Sequence, residues 1–178
     1  MTTLDLLTTF WKNWIMLPSF ILGIIGFFFF VYSVSNENIK RKKSKITGIS
    51  LLIFFAFNWF IGFSLAWSLE TLAKNELINF LNQPNIEIEI NGEKLVPEYL
   101  TRVISELKKI ENLTAHHSHP TDEIELKISS EEDSMTLVVR QDSEKKYEFW
   151  VFSNKYNHTK ENIIGKLNTL VFIKYFGG

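Results

Sequence analysis

The residues best suited to holding a ligand gather in the last third of this sequence. The run Ser153-Asn154-Lys155-Tyr156-Asn157-His158-Thr159-Lys160 mixes amides, hydroxyls, cations and an aromatic ring. Such a mixture suits a nucleotide, because rings stack on a base, amides read its edge and lysines meet phosphate. Many solvated surface loops have the same composition. Just upstream, two-residue alternation puts Tyr147, Phe149 and Val151 on one strand face and Glu148, Trp150 and Phe152 on the other. If a helix covers the first face, Trp150 is either buried under the terminal segment or exposed as a stacking platform. Arg102 and Arg140 are phosphate candidates, set against the default of a solvated arginine on a helix or strand.

All four histidines fall in two loops, His116, His117 and His119 in one and His158 in the other. Imidazoles ligate zinc, but three or four must converge, and neither a cysteine nor an H-E-x-x-H pattern reinforces the clustering. A solvated or ligand-contacting role competes with zinc, and no metal or cofactor is assigned. Gly165-Lys166 lacks the preceding glycine spacing of a P-loop, and no serine, histidine and acid pattern stands out. The sequence therefore predicts no enzyme. A net charge of −1 over 178 residues argues against duplex nucleic acid as a partner, which attracts broadly basic proteins. The absence of cysteine removes disulfides and thiolate chemistry.

The elements that must position these residues divide sharply by composition. Residues 14–34 and 46–69 carry no charge and are apolar almost throughout, including the run Phe27-Phe28-Phe29-Phe30. A helix rises about 1.5 Å per residue and the hydrocarbon core is about 30 Å thick, so roughly 20 apolar residues span it. Residues 1–69 therefore predict a multi-pass transmembrane hairpin in a lipid bilayer. The short linker forces the two helices antiparallel, and Trp11, Trp14 and Trp67 then share one interface, where indoles prefer to sit. Within the spans Gly23, Gly26, Gly62 and Ala66 are small enough for close helix approach, and Asn58 seeks a polar partner. These residues serve either packing within one hairpin, or an oligomer contact or polar path.

From Leu69 the helical apolar pattern continues through Leu72, Ala73, Leu77, Phe80 and Leu81 towards Pro84, so residues 70–84 read as a helical stalk. It is either a lever continuous with the second span or a connector tucked onto the domain beyond. Residues 85–178 predict a soluble α+β domain, an antiparallel sheet packed on one main helix. Ile86, Ile88 and Ile90 alternate as a strand before an Asn91-Gly92 turn. Pro97 opens a helix with Leu100, Val103, Ile104, Leu107 and Ile110 on one face. Strands are expected over 123–129, 135–141 and 146–152, then a short helix and a final strand over 170–176.

A two-helix hairpin, a stalk and one α+β sensor bearing the polar loop Lys155-Tyr156-Asn157-His158 resembles the small membrane effectors of type III CRISPR systems that cyclic tetra-adenylate activates. That resemblance implies a cytoplasmic (inner) membrane protein whose cytosolic domain binds a cyclic oligoadenylate, a homotetramer, and disturbance of the membrane as an antiviral defence. It would make Trp150, Asn154, Lys155, Tyr156, Asn157, His158 and the loop of His116, His117 and His119 ligand contacts. Against it, Lys40, Arg41, Lys42, Lys43 and Lys45 fill the linker, and the positive-inside rule places that linker in the cytoplasm and both termini outside. The alternative is an extracytoplasmic, membrane-anchored interaction or immunity protein with no nucleotide ligand. We follow the resemblance and place the domain in the cytosol.

Overall fold

The structure, a computed structural model, describes residues 2–34, 39–112, 117–131 and 133–176. The chain divides into two compact units, Thr2–Ser68 and Leu69–Gly178.

The first unit is helical. Thr2 caps α1 (Thr3–Phe10), its side chain accepting from the Asp5 N–H. A π-helical turn, Trp11–Ile15, leads into α2 (Met16–Val34). This wider turn lies just ahead of Pro18, whose ring would strike the carbonyl of residue 14 in a regular helix. The return helix is α3, Ile39–Phe80. Both Thr3–Val34 and Lys42–Phe80 are long and apolar enough to cross a membrane.

Glycines set the crossing of α2 and α3. A Cβ on Gly26 would lie 3.0 Å from the Gly48 carbonyl oxygen, and one on Gly48 would lie 2.7 Å from the Phe30 nitrogen. Gly23 meets the Phe55 ring in the same way. Backbones this close leave no room for a side chain, which is the use of small residues between membrane helices.

The second unit is α+β, as the alternation predicts. Six strands lie in the order β2-β1-β3-β4-β5-β6, and every neighbouring pair is antiparallel. They are β1 (Glu87–Ile90), β2 (Glu93–Lys94), β3 (Pro120–Ser129), β4 (Ser134–Asp142), β5 (Glu148–Ser153) and β6 (Gly165–Asn168). Asn91 and Gly92 both have positive φ, as a two-residue hairpin turn requires. The Asn91 side chain also accepts from the Glu125 N–H, which joins the turn to β3.

One sheet face is the core. Ile88, Leu126, Leu137, Val139, Phe149, Val151 and Leu167 share it by strand register and are fully or almost fully buried. Val103 and Leu107 of α4 (Pro97–Leu107) are buried as well, and so are Leu69, Ala73, Leu77 and Phe80 from the last turns of α3. Of the two readings left open for residues 70–84, the apolar stripe belongs to the domain core. Helical hydrogen bonding tightens at Asn82 and Gln83 and stops before Pro84.

The C-terminal segment departs from expectation. The short helix expected from Ile163, Ile164, Leu167, Leu170 and Val171 is replaced by the strand β6, a single helical turn, α5 (Asn157–Glu161), lies before it, and part of the expected strand over 170–176 is a 3₁₀ turn, Ile173–Tyr175. Two long-range demands decide this. Gly165 lets β6 approach the Glu111 carbonyl, which a Cβ would meet at 2.5 Å. Phe172 then turns in against Phe149, ring centroids 5.6 Å apart.

Candidate functional site

The polar loop after β5 is bound down onto α3. Tyr156 is 1% exposed, and its hydroxyl donates to the Glu76 carboxylate at 2.7 and 2.8 Å. Lys155 Nζ lies 3.3 Å from the same carboxylate, and His158 Nε2 lies 3.0 Å from Glu70 Oε1. The buried Thr159 hydroxyl donates to the Ser153 carbonyl, which closes the loop into α5. Asn154, Lys155, Asn157 and Lys160 are its exposed members. The two glutamates were not among the residues expected here. Glu76 falls at the margin of the buried stripe of Leu69, Ala73, Leu77 and Phe80, and an acid in that position was the available signal.

Trp150 is half-buried, and its indole N–H donates to Asp142 Oδ2 at 2.9 Å. Asp142 is 3% exposed and also accepts from the Ser118 hydroxyl and from the N–H groups of Glu144 and Lys145. Burial alone would raise its pKa, but these four donors together outweigh that and hold the carboxyl well below the usual carboxylate range. Arg140 pairs with Glu123 at 2.8 Å, its guanidinium 4.9 Å from the centre of the buried Phe152 ring. The outer face of β5 is thus organised by a tryptophan, an arginine and a carboxylate, with a buried Lys166–Glu148 ion pair at 3.2 Å beside them.

The histidines are dispersed. His158 sits on Glu70, the His119 backbone exchanges hydrogen bonds with Ser143, His117 is exposed, and His116 lies outside the described residues. Among the described residues no group of three histidines and acids could hold a metal ion.

Arg102 belongs to a different place. A cleft of about 430 Å³ opens between the first turns of α4, the segment following β2 and the C-terminal 3₁₀ turn. Tyr99, Arg102, Lys174 and Tyr175 line it, together with Lys94, Glu93 and Glu98. Lys174 Nζ lies 3.8 Å from the Tyr99 ring centre and 4.7 Å from that of Tyr175. The Tyr99 hydroxyl donates to the Val171 carbonyl, which fixes that ring. Its pKa is raised, chiefly by burial and against the pull of Lys174, while hydrogen bonding to Tyr175 raises that of Lys174. Lys94 is paired with Glu87.

In the helical unit, Asn58 is buried and donates to the Phe54 carbonyl of its own helix, and its backbone carbonyl accepts from the Trp11 indole at 3.1 Å. Gly62 faces that indole, with Trp11 Cδ1 3.3 Å from a built Cβ. Ala66 is half-buried. Gly48, absent from the expected packing set, makes the closest backbone approach together with Gly26.

No family model, curated protein or solved structure matches this chain.

The argument for function therefore rests on this chain's own residues. Sequence spacing brought out Trp150, Arg140 and the 153–160 loop. It did not show that Ser118 and Trp150 join the turn N–H groups on Asp142 or that Lys174 and Tyr175 return to Arg102, because those partners meet only through tertiary folding.

Proposed function

We propose that this protein is a membrane-anchored effector. Its hairpin spans the cytoplasmic membrane, and its sheet domain binds a cyclic oligoadenylate in the cytosol, with cyclic tetra-adenylate the favoured ligand by resemblance. The observation that carries the membrane part is the surface of the helical unit. In the most apolar window of each long helix only 17% and 6% of the residues are buried, and Trp14, Phe28 and Phe60 are 69%, 67% and 70% exposed. Water does not tolerate a continuous patch of that kind, and lipid does.

The ligand reading draws on the exposed Lys155, which now faces Glu76 on α3. A ligand phosphate competing for Lys155 weakens the hold of the loop on a helix whose earlier turns form the second span. Binding shifts the membrane helices only if the ligand prefers the released arrangement. A closed ring of four adenylates presents four equivalent units, which a homotetramer meets with one loop each.

The test is dye leakage from vesicles containing the full chain, with and without cyclic tetra-adenylate. Ligand-dependent leakage that Lys155→Ala abolishes supports the reading, and equal leakage in both conditions removes it. The basic linker favours a second reading, an extracytoplasmic anchored interaction or immunity protein. A compartment-specific reporter fused after Gly178 separates the two, since activity outside the cell rejects cytosolic signalling.

A further inference from the structure

We propose that the cleft beside the first turns of α4 is a binding site for a nucleoside monophosphate, with Arg102 and Lys174 taking the phosphate and Tyr175 stacking on the base. This inference stands apart from the reading above, since it needs neither a bilayer nor Lys155.

The chemistry follows from what is already fixed in the cleft. Lys174 is exposed and its ammonium is held over one face of each of two rings, so it is positioned while keeping N–H groups to donate. Arg102 is exposed and brings a planar fork of donors to the same cleft, the geometry that recognises phosphate oxygens. Lys94 contributes less, because Glu87 holds it at 2.5 Å. A cationic ligand is disfavoured, since Lys174 already occupies one face of each ring and would repel a second cation.

Two acids, Glu93 and Glu98, also line the cleft. They repel the phosphate end and accept from hydroxyl and amino groups, so they favour a ligand with an anionic end and a donor-rich end. A ribonucleotide has both. A volume of about 430 Å³ lies at the lower end of the usual range for small-molecule sites, which fits one nucleotide and not a strand. Tyr99 is a positioning residue, its hydroxyl committed to the Val171 carbonyl and its ring seating Lys174.

The test is calorimetric titration of the full chain in detergent micelles with three probes: adenosine 5′-monophosphate, ribose 5-phosphate, which lacks the base, and adenosine, which lacks the phosphate. The monophosphate is expected to bind more tightly than either fragment. Arg102→Gln and Lys174→Gln should each weaken it roughly tenfold, as the loss of a charge-assisted contact does, and leave adenosine unchanged. Tyr175→Ala should weaken adenosine and leave ribose 5-phosphate unchanged. The exposed Lys127 on β3 provides Lys127→Gln as the control, which should alter nothing. Absence of saturable monophosphate binding overturns the site. So does binding that survives both Arg102→Gln and Lys174→Gln in chains whose thermal melts match wild type. Binding lost equally in the Lys127 control overturns it as well, because the contacts are then non-specific.

Discussion

In the helical unit the large apolar side chains lie outside and the small or polar ones inside. In the sheet domain the order is reversed. The buried positions of the helices include Ser19, Gly23, Gly26, Ser33, Gly48 and Asn58, while Phe28, Phe60 and Trp67 are exposed. Those on the core face of the sheet are mainly isoleucine, leucine, valine and phenylalanine, with Glu125 and Lys127 outside. One chain thus packs its two units in opposite ways. Close backbone approach brings the two helices together, whereas water drives the sheet's side chains together by area.

Matched truncations test the contrast most severely. Leu126→Ala should destabilise the sheet domain by about 2–5 kcal/mol in urea unfolding, through lost burial and the cavity left behind. Phe60→Ala removes a larger but exposed side chain and should change helical stability in micelles by no more than about 0.5 kcal/mol. Equal losses would break the comparison.

Asp142 sharpens it from the polar side. Asp142→Asn should lose about 2–3 kcal/mol, because it weakens a set of charge-assisted bonds in a buried place. The carboxyl titrates lower in the folded chain than in the unfolded one, whose pKa is about 3.9. Below about pH 4 the unfolded chain therefore binds the extra proton, and stability declines as pH falls towards the folded pKa. That acid-side decline should be shallower in Asp142→Asn.

Gly48→Val is the hairpin's counterpart, expected to lose about 2 kcal/mol in detergent unfolding as α2 and α3 are forced apart. The smallest effect belongs to Glu76→Gln. It keeps an acceptor for Tyr156 but drops the charge facing a half-exposed Lys155, a loss of about 1 kcal/mol or less by thermal melting.

Legibility in the sequence follows the range of the interactions. Local periodicity announced the two apolar helices, β1 with its Asn91-Gly92 turn, the meander strands and α4 from Pro97. It could not announce β6, where Gly165-Lys166-Leu167-Asn168 has little alternation and becomes a strand by pairing with β5. The same limit hid Glu70 and Glu76, more than seventy residues from the loop they hold. It also concealed Lys174 and Tyr175, which read as strand positions and instead line the cleft with Arg102.

The bridge between Glu111 and Lys166 bears on how copies of this protein can meet. Its two reciprocal bonds of 2.9 Å use the outward N–H and carbonyl of Lys166, so an incoming strand finds that rim already occupied. The opposite rim, β2, is only two residues long and too brief a template. Contact between copies at these two rims is therefore a matter of side-chain surfaces and not of merging their sheets into one continuous ribbon.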